Sequence, residues 1–498
     1  MRVIVRHLIL GALLASAAAG HAPAQTGGSP PDSTIATRTN DSLIVARKST
    51  VSAKSSKLLQ AIEITGFLAL SNVAARIMYP NDVQDGKKVY SSTFASTADH
   101  LRTQHWVYDI DPFNTNQFQH PYQGSMMYGF ARSSGHGFWT SLVHADVGSF
   151  IWKMAGETDP PSINDMITTG QAGSLLGEAL YRMADLVLKH GGEKPNGMHE
   201  YAAALISPPG GLNRRIFGDR FKDRLPDTAP STIWQVRFGA TLDALARDVA
   251  TPKNVLRGDA TAEFAMSYGL PGQSGYTYTR PLDYFDFQGT FLLSSFSNFI
   301  ENIMIRGLLL GGKTAETDNS HGIWGLYGSF DYISPYLFRV SSTALSLGTT
   351  RQVLLTPHVA LQGSALGGVG YGAAGSTTVI ASTPTNAAIR DYHFGLTPQA
   401  LLALRLILGD RAMLDLTARE YYVSGYGSDD TRGSETIFRG NFGATIRVYR
   451  SHAIGIQFVS STRDAKYGLL PNRKLSEGTV TIVYSILGGN RFSAVAEK

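Results

Sequence analysis

From about residue 231 onward the chain alternates apolar and polar side chains with a period of two. Ala262, Phe264, Met266 and Tyr268 interleave with Thr261, Glu263, Ala265 and Ser267. Trp324, Leu326, Gly328, Phe330 and Tyr332 interleave with Gly325, Tyr327, Ser329 and Asp331, and Val480, Ile482, Tyr484 and Ile486 with Thr479, Thr481, Val483 and Ser485. Successive side chains of a strand point to opposite faces, so each run reads as a strand with one apolar and one polar side. Turn signals lie between the runs at Pro271-Gly272, Gly311-Gly312, Ser334-Pro335, Gly409-Asp410, Gly433-Ser434 and Arg450-Ser451. Together they predict strands over 231–245, 257–268, 282–295, 300–311, 322–333, 336–348, 353–366, 391–404, 412–425, 436–449, 453–463 and 478–488.

Roughly 12 strands is the even count that a single-chain bacterial outer-membrane barrel needs. A soluble sandwich or lipocalin-like barrel also alternates, but so many apolar positions here are Phe, Tyr, Trp and Leu that a lipid-facing wall fits better. The fold class expected is therefore a membrane β-barrel of about 12 antiparallel strands preceded by a small α-helical module. Tight joints near Ser334-Pro335 and Arg450-Ser451, against longer links at 367–390 and 426–435, suggest short periplasmic turns and longer external loops. A terminal aromatic is common in such barrels, whereas here Phe492 is followed by Ser-Ala-Val-Ala-Glu-Lys.

Ahead of the strands the period changes. Leu58, Leu59, Ile62, Ile64, Leu68, Leu70, Val73 and Ile77 predict an amphipathic helix over 57–77, and further apolar segments predict helices over 124–132, 138–154 and 163–189. In the last, Leu176, Ala179, Leu180, Met183 and Val187 share one face, and Glu178 and Arg182 face each other at i and i+4. Ser162 followed by Asp165 reads as a variant capping box. The Gly173/Gly177 and Ser125/Gly129 steps allow close helix approach within the module. His144, Asp146 and Lys153 make the 138–154 helix a poor membrane span, and no window after the signal approaches 18 uncharged apolar residues, which argues against a helical inner-membrane protein.

The N-terminus reads as a secretory signal, with Arg2 and Arg6, an apolar run from Leu8 to Ala19, and small residues up to Ala24 as the cleavage site. The expected division is a signal over 1–24, a disordered basic and polar tail over 25–56, the helical module over 57–206, a linker over 207–230 and the barrel over 231–492. The 498 residues include no cysteine, so thiolate catalysis, disulfides and cysteine-based metal sites are excluded. Only 17% of residues are charged while 52 are glycine, a balance that suits strands with one face in lipid. Arg38, Arg47, Lys48, Lys54 and Lys57 form a basic cluster in the tail, read as solvated and not as a nucleic-acid site.

Candidate chemistry concentrates in the helical module. His120, Glu157 and Asp165 offer bases, while Arg132, Asn164, Glu178 and Arg182 could hold a phosphate or lipid head group. Their spacing matches no hydrolase elbow, zinc helix, phosphate loop or dinucleotide fingerprint, and no metal or cofactor is called for. Two readings stay open. Either these groups cap helices and pair with each other where the module meets the barrel, or they form a lipid-binding or hydrolytic site.

The runs Tyr108-Asp109, Asn114-Thr115-Asn116-Gln117-Phe118, His120-Pro121-Tyr122-Gln123-Gly124-Ser125, Ala131-Arg132-Ser133, Gly156-Glu157, Pro160-Pro161-Ser162-Ile163-Asn164-Asp165 and Gly177-Glu178 with Tyr181-Arg182 resemble the DUF3943 family. The resemblance spans roughly 55–225, with small departures at Gln119 and at Gln171-Ala172. It implies an exported, outer-membrane protein and brings no activity with it. The expectation is an outer-membrane barrel with a helical plug or periplasmic module, in contact with outer-membrane lipid and with a non-enzymatic envelope role: handling a lipid or small hydrophobic molecule, or scaffolding. The alternative is an outer-membrane lipid-modifying hydrolase.

Overall fold

The computed structural model describes residues 58–488, apart from 85, 104–105, 109–110, 193–194, 219–229, 248–253, 294–298, 336–338, 376–391, 426–432 and 468–471. The expected signal and tail lie outside the described residues. Helix α1 spans Leu59–Met78, followed by a two-residue hairpin, β1 Val83–Gln84 and β2 Lys87–Lys88, and by α2 Phe94–Thr103. A π-helical turn, Thr115–Gln119, runs into α3 His120–Ser133; α4 is Phe138–Ala155 and α5 Ile163–Met166. A second π-helical turn, Ile167–Ala172, leads into α6 Gly173–His190; α7 is Gly197–Ile206 and α8 Pro208–Phe217. Helix thus occupies the first half of the stretch expected to be a linker.

The barrel strands are β3 Thr232–Arg247, β4 Asn254–Tyr268, β5 Phe285–Leu292, β6 Ile300–Lys313, β7 Ser320–Ile333 and β8 Arg339–Thr356. They continue as β9 Val359–Gly375, β10 Tyr392–Leu408, β11 Ala412–Ser424, β12 Gly433–Tyr449, β13 His452–Tyr467 and β14 Arg473–Leu487. Each pairs antiparallel with its sequence neighbour, and β14 closes the barrel on β3. Gly311-Gly312 lies inside β6, and β9 takes in the glycine-rich 367–375, because alternating small residues fit a strand as well as a turn.

Both barrel termini lie at one end, here the near end, with the connections 269–284, 314–319, 357–358, 409–411 and 450–451. Strand direction puts Arg450-Ser451 at this end and Ser334-Pro335 at the other. The two tight joints are therefore at opposite ends, contrary to the expectation that they share one side.

Cross-strand register sorts the two faces. Ser267, Asp286, Arg306 and Ser329 form one row of neighbours and face the lumen. There Arg419 on β11 donates to Asp331 on β7 at 2.5 Å, and Arg237 on β3 approaches Asp415 on β11 at 3.7 Å; bonds between non-adjacent strands can form only across the interior. On the opposite face of β12–β14, Phe442, Ile454, Ile456, Phe458, Ile482 and Tyr484 are exposed, an apolar exterior.

A lumen cavity of about 170 Å³ is lined entirely by barrel residues. Toward the near end the 269–284 connection folds inward, where Leu270, Tyr276, Tyr278 and Tyr284 pack with Leu308, Ile323, Tyr327 and Leu366. The lumen is obstructed by the barrel's own side chains and this loop, and not by the helical module.

The module lies against the outside of the wall. Met266, Phe287, Ile305 and Phe330 form a register row on the outer face. They are buried in one continuous core with Met127, Tyr128, Leu175 and Leu176 of α3 and α6. Phe113 stacks on Tyr332 and Phe118 meets the same ring at a tilt, and Tyr108 meets Phe394; Tyr332 and Phe394 both hold outward positions at the far end. This corrects the expected plug or periplasmic placement: the bundle is neither in the lumen nor confined beyond the rim.

Within the bundle α3 and α6 run from the far end toward the near end, and α1 and α4 run back. A Cβ at Gly173 would sit 2.7 Å from Gly124 Cα, and one at Gly177 2.7 Å from the Tyr128 ring, so the small residues do permit the α3–α6 contact that their spacing suggests. The polarity of α1 and α4 is unexpected. Ile62, Leu70, Val73 and Ile77 of α1, and Trp139, Val143, Val147, Phe150 and Ile151 of α4, are exposed, while Lys153, Ser141 and Ser149 of α4 are buried. By length and composition helix α1 is long and apolar enough to cross a bilayer, although Glu63 and Arg76 within it leave no window of 18 uncharged residues. Both charges stand near the ends of the helix.

Candidate functional site

The residues singled out from sequence fall into two buried clusters. At the far end, where α3 begins and α4 ends, His120, Glu157 and Asp165 come together around Lys153. Lys153 Nζ lies 2.6 Å from Glu157 Oε2 and also pairs with Asp165. His120 Nε2 is 3.3 Å from Asp165 Oδ2. Trp152 Nε1 donates to Glu157 Oε1 at 2.7 Å, Ser162 Oγ to Asp165 Oδ2 at 2.5 Å and Asn164 Nδ2 to Asp165 Oδ1 at 3.2 Å. Ser162 makes no capping bond to the backbone, so the Ser162–Asp165 signal marks this cluster and not a capping box. In the sequence Lys153 stands out only as an obstacle to membrane insertion. Its i+4 relation to Glu157 is the signal that could have identified it as a partner.

The second cluster joins the module to the barrel. Glu178, fully buried on α6, accepts from Tyr128 Oη at 2.7 Å, from Arg132 Nε at 2.7 Å and Nη2 at 3.3 Å, and from Arg182 Nε at 2.8 Å. Arg182, also fully buried, donates onward to Asp283 Oδ1 at 3.0 Å and to the Pro281 carbonyl at 2.7 Å. Arg132 donates to the His136 carbonyl at 3.0 Å and lies 4.7 Å over the Tyr181 ring. Arg132, Glu178, Arg182 and Asp283 thus form an alternating charge ladder from the bundle interior to the barrel rim. Buried charges persist only when paired and hydrogen-bonded, and here each is.

Chemically, both clusters neutralise charge and fix helices in register. His120, Glu157 and Asp165 converge on Lys153 and on one another, and each is at most 7% exposed; among the described residues none lines the cavities of the lumen or of the near end. Arg132, Glu178 and Arg182 converge in the ladder, and Asn164 supports Asp165. Among the described residues no three or more His, Asp or Glu side chains are placed so that they could hold a metal ion.

Comparison with known proteins gives little beyond this geometry. Among curated proteins none matches the chain. Among solved structures the chain is similar to the COG4313 outer membrane channel from Pseudomonas putida F1, at 11% identity and a TM-score of 0.26, over 53% of this chain and 98% of that one. It is also similar to an anion-selective porin from Comamonas acidovorans, at 8% identity and a TM-score of 0.21, over 51% and 99%. With the NanC porin the values are 10% and 0.24, over 50% and 98%. The helices that build both clusters carry the one family assignment: residues 105–209 match DUF3943, a domain of unknown function.

Proposed function

We propose that the chain is an outer-membrane protein in which an occluded barrel anchors a helical bundle immersed in the lipid beside it. Its role on this reading is non-enzymatic and exercised in the plane of the bilayer, in handling a lipid or small hydrophobic solute. The observation that carries the reading is the inverted polarity of α1 and α4. In water, helices of a bundle turn their apolar stripe inward, whereas these turn Leu70, Ile77, Val143 and Val147 outward and keep Lys153 inside. Hydrocarbon is the solvent that favours this arrangement. The 20 residues of α1 rise about 1.5 Å each, close to the roughly 30 Å of a bilayer core. The hydrolase alternative has nothing specific in its favour, since Glu157 and Asp165 are engaged with Lys153 and His120 with Asp165.

The absence of native cysteine makes a direct test simple. In phospholipid vesicles, Val73→Cys and Val147→Cys are expected to resist a water-soluble maleimide that readily labels Lys474→Cys, a residue whose side chain is 71% exposed. Equal labelling at all three positions would overturn the reading.

A further inference from the structure

A cavity of about 810 Å³ opens between α6, α7 and α8 at the near end of the bundle, within the range of roughly 300–1,000 Å³ of pockets that enclose organic ligands. Its walls include Ala184, Leu188, Ala203 and Ala204, and its rim carries Lys189, Arg214 and Arg215 against Asp185 and Glu200, one positive charge in excess. Two of the cations are steadied by carboxylates: Lys189 by Asp185 at 3.0 Å and Arg214 by Glu200 at 3.3 Å. The mouth is open, for a Cβ built at Gly192 or Gly197, both of which line it, meets nothing within 4 Å.

Its height follows from α6. Arg182 marks the near rim of the barrel through Asp283, and Lys189 lies about two turns further along the same helix. The basic rim therefore stands where hydrocarbon gives way to head groups, and Met198, Tyr201, Leu212 and Ile216 are exposed on the same two short helices. This is the end at which the chain enters and leaves the barrel, which in outer-membrane barrels with short periplasmic turns is the periplasmic side. The facing leaflet there is composed of phospholipid.

We infer that this cavity binds a diacyl glycerophospholipid, its phosphate held by Lys189, Arg214 and Arg215 and its acyl chains leaving over Leu188 into the bilayer. Guanidinium and ammonium groups supply the bonds a phosphate needs, and the alanine-lined walls supply the room. The inference rests on the lipid immersion of the bundle proposed above, and the experiment separates the two.

The full-length protein is reconstituted in vesicles containing a phospholipid with a diazirine close to its glycerol backbone, irradiated, and mapped by peptide. Labelling is expected on 181–189 and 203–215 as well as on α1 and α4. In a Lys189→Ala, Arg214→Ala, Arg215→Ala variant the cavity labelling should fall roughly tenfold or more, with α1 and α4 labelled as before, which also reports that the bundle is folded. An excess of inorganic phosphate should leave the cavity labelling in place. If α1 and α4 are labelled but the cavity is not, or the triple variant changes nothing, or inorganic phosphate displaces the lipid, the site is refuted while immersion stands. If α1 and α4 are unlabelled, immersion itself is refuted and the site with it.

Discussion

Replacing Glu178 by Gln tests whether the charge ladder is what fastens the bundle to the barrel. The substitution keeps the size of the side chain but removes the charge that Arg132 and Arg182 share. Arg182 retains Asp283 and the Pro281 carbonyl. Arg132 is left with the His136 carbonyl and the Tyr181 ring, neutral partners for a buried cation. Breaking a buried pair in this way costs about 3–5 kcal/mol, a large part of the roughly 5–15 kcal/mol that holds a typical domain together. Equilibrium urea unfolding of the reconstituted protein, in a background with Trp106, Trp234 and Trp324 replaced by Phe so that the fluorescence of Trp139 and Trp152 reports the bundle, would show the loss. A second variant, Glu178→Met with Arg132→Met, replaces the pair by apolar side chains and leaves Arg182 on Asp283. The Tyr128 hydroxyl and Arg182 Nε then lose Glu178 as acceptor and the His136 carbonyl loses Arg132 as donor, but no unpaired charge is left on Arg132, so the deficit should shrink to about 2–3 kcal/mol. The reasoning is refuted if Glu178→Gln costs under about 1 kcal/mol, the scale of a solvent-exposed pair, or if the double variant is no better than the single one.

Three further outcomes follow from the same contacts. Asp165→Asn takes the Asp165 charge away from Lys153, which keeps Glu157, and should cost about 1–3 kcal/mol in the same unfolding measurement, without altering envelope lipid composition; a changed lipid profile with undiminished stability would favour the hydrolase. Gly173→Val forces a side chain into the α3 backbone and should destabilise the bundle by about 1–3 kcal/mol or more, read as earlier loss of the Trp152 signal, with no shift expected if α3 and α6 do not touch. Wild-type protein should show no steady conductance in planar bilayers, whereas a variant with residues 272–280 replaced by a short Gly-Ser turn, together with Asp331→Ser and Arg419→Ser, should conduct; an open wild-type channel would contradict an obstructed lumen.

The barrel was legible in the sequence because strand periodicity is local. Alternation such as Phe264-Ala265-Met266-Ser267 depends only on which side of a pleat each residue occupies. What alternation cannot report is what covers the apolar side. Phe264, Phe287 and Phe330 lie under the helical bundle, while Phe442 and Phe458 on the same outer face are exposed. A wall covered by protein and a wall covered by lipid are built of the same side chains, so the docking site of the module left no signature in β4–β7. The Arg182–Asp283 bond, which fixes that site, joins residues 101 apart in sequence, beyond the reach of any spacing rule. Helix periodicity has the corresponding blind spot. Spacing puts Val143, Val147 and Ile151 on one face of α4 and Lys153 on another, but which face is buried depends on the surroundings, and spacing does not report whether those are water or lipid.

Asp283 shows how the separate parts become one object. One of its carboxylate oxygens accepts from Arg182 on the outer side of the wall. The other accepts the backbone N–H groups of Thr279 and Arg280 at 3.0 and 2.7 Å, closing the turn that carries Tyr276 and Tyr278 into the lumen. The position of the bundle in lipid and the shape of the inward loop are therefore set by the same side chain. A displacement of α6 along the wall would pull on Asp283 and loosen the loop's last turn, whereas loss of the loop would strip Arg182 of its Asp283 and Pro281 partners and leave Glu178 as its remaining counter-ion on the ladder. Since a buried guanidinium tolerates few unmet donors, neither part is expected to keep its geometry without the other. The bundle, the barrel rim and the obstructing loop form a single cooperative structure around one ladder of charges.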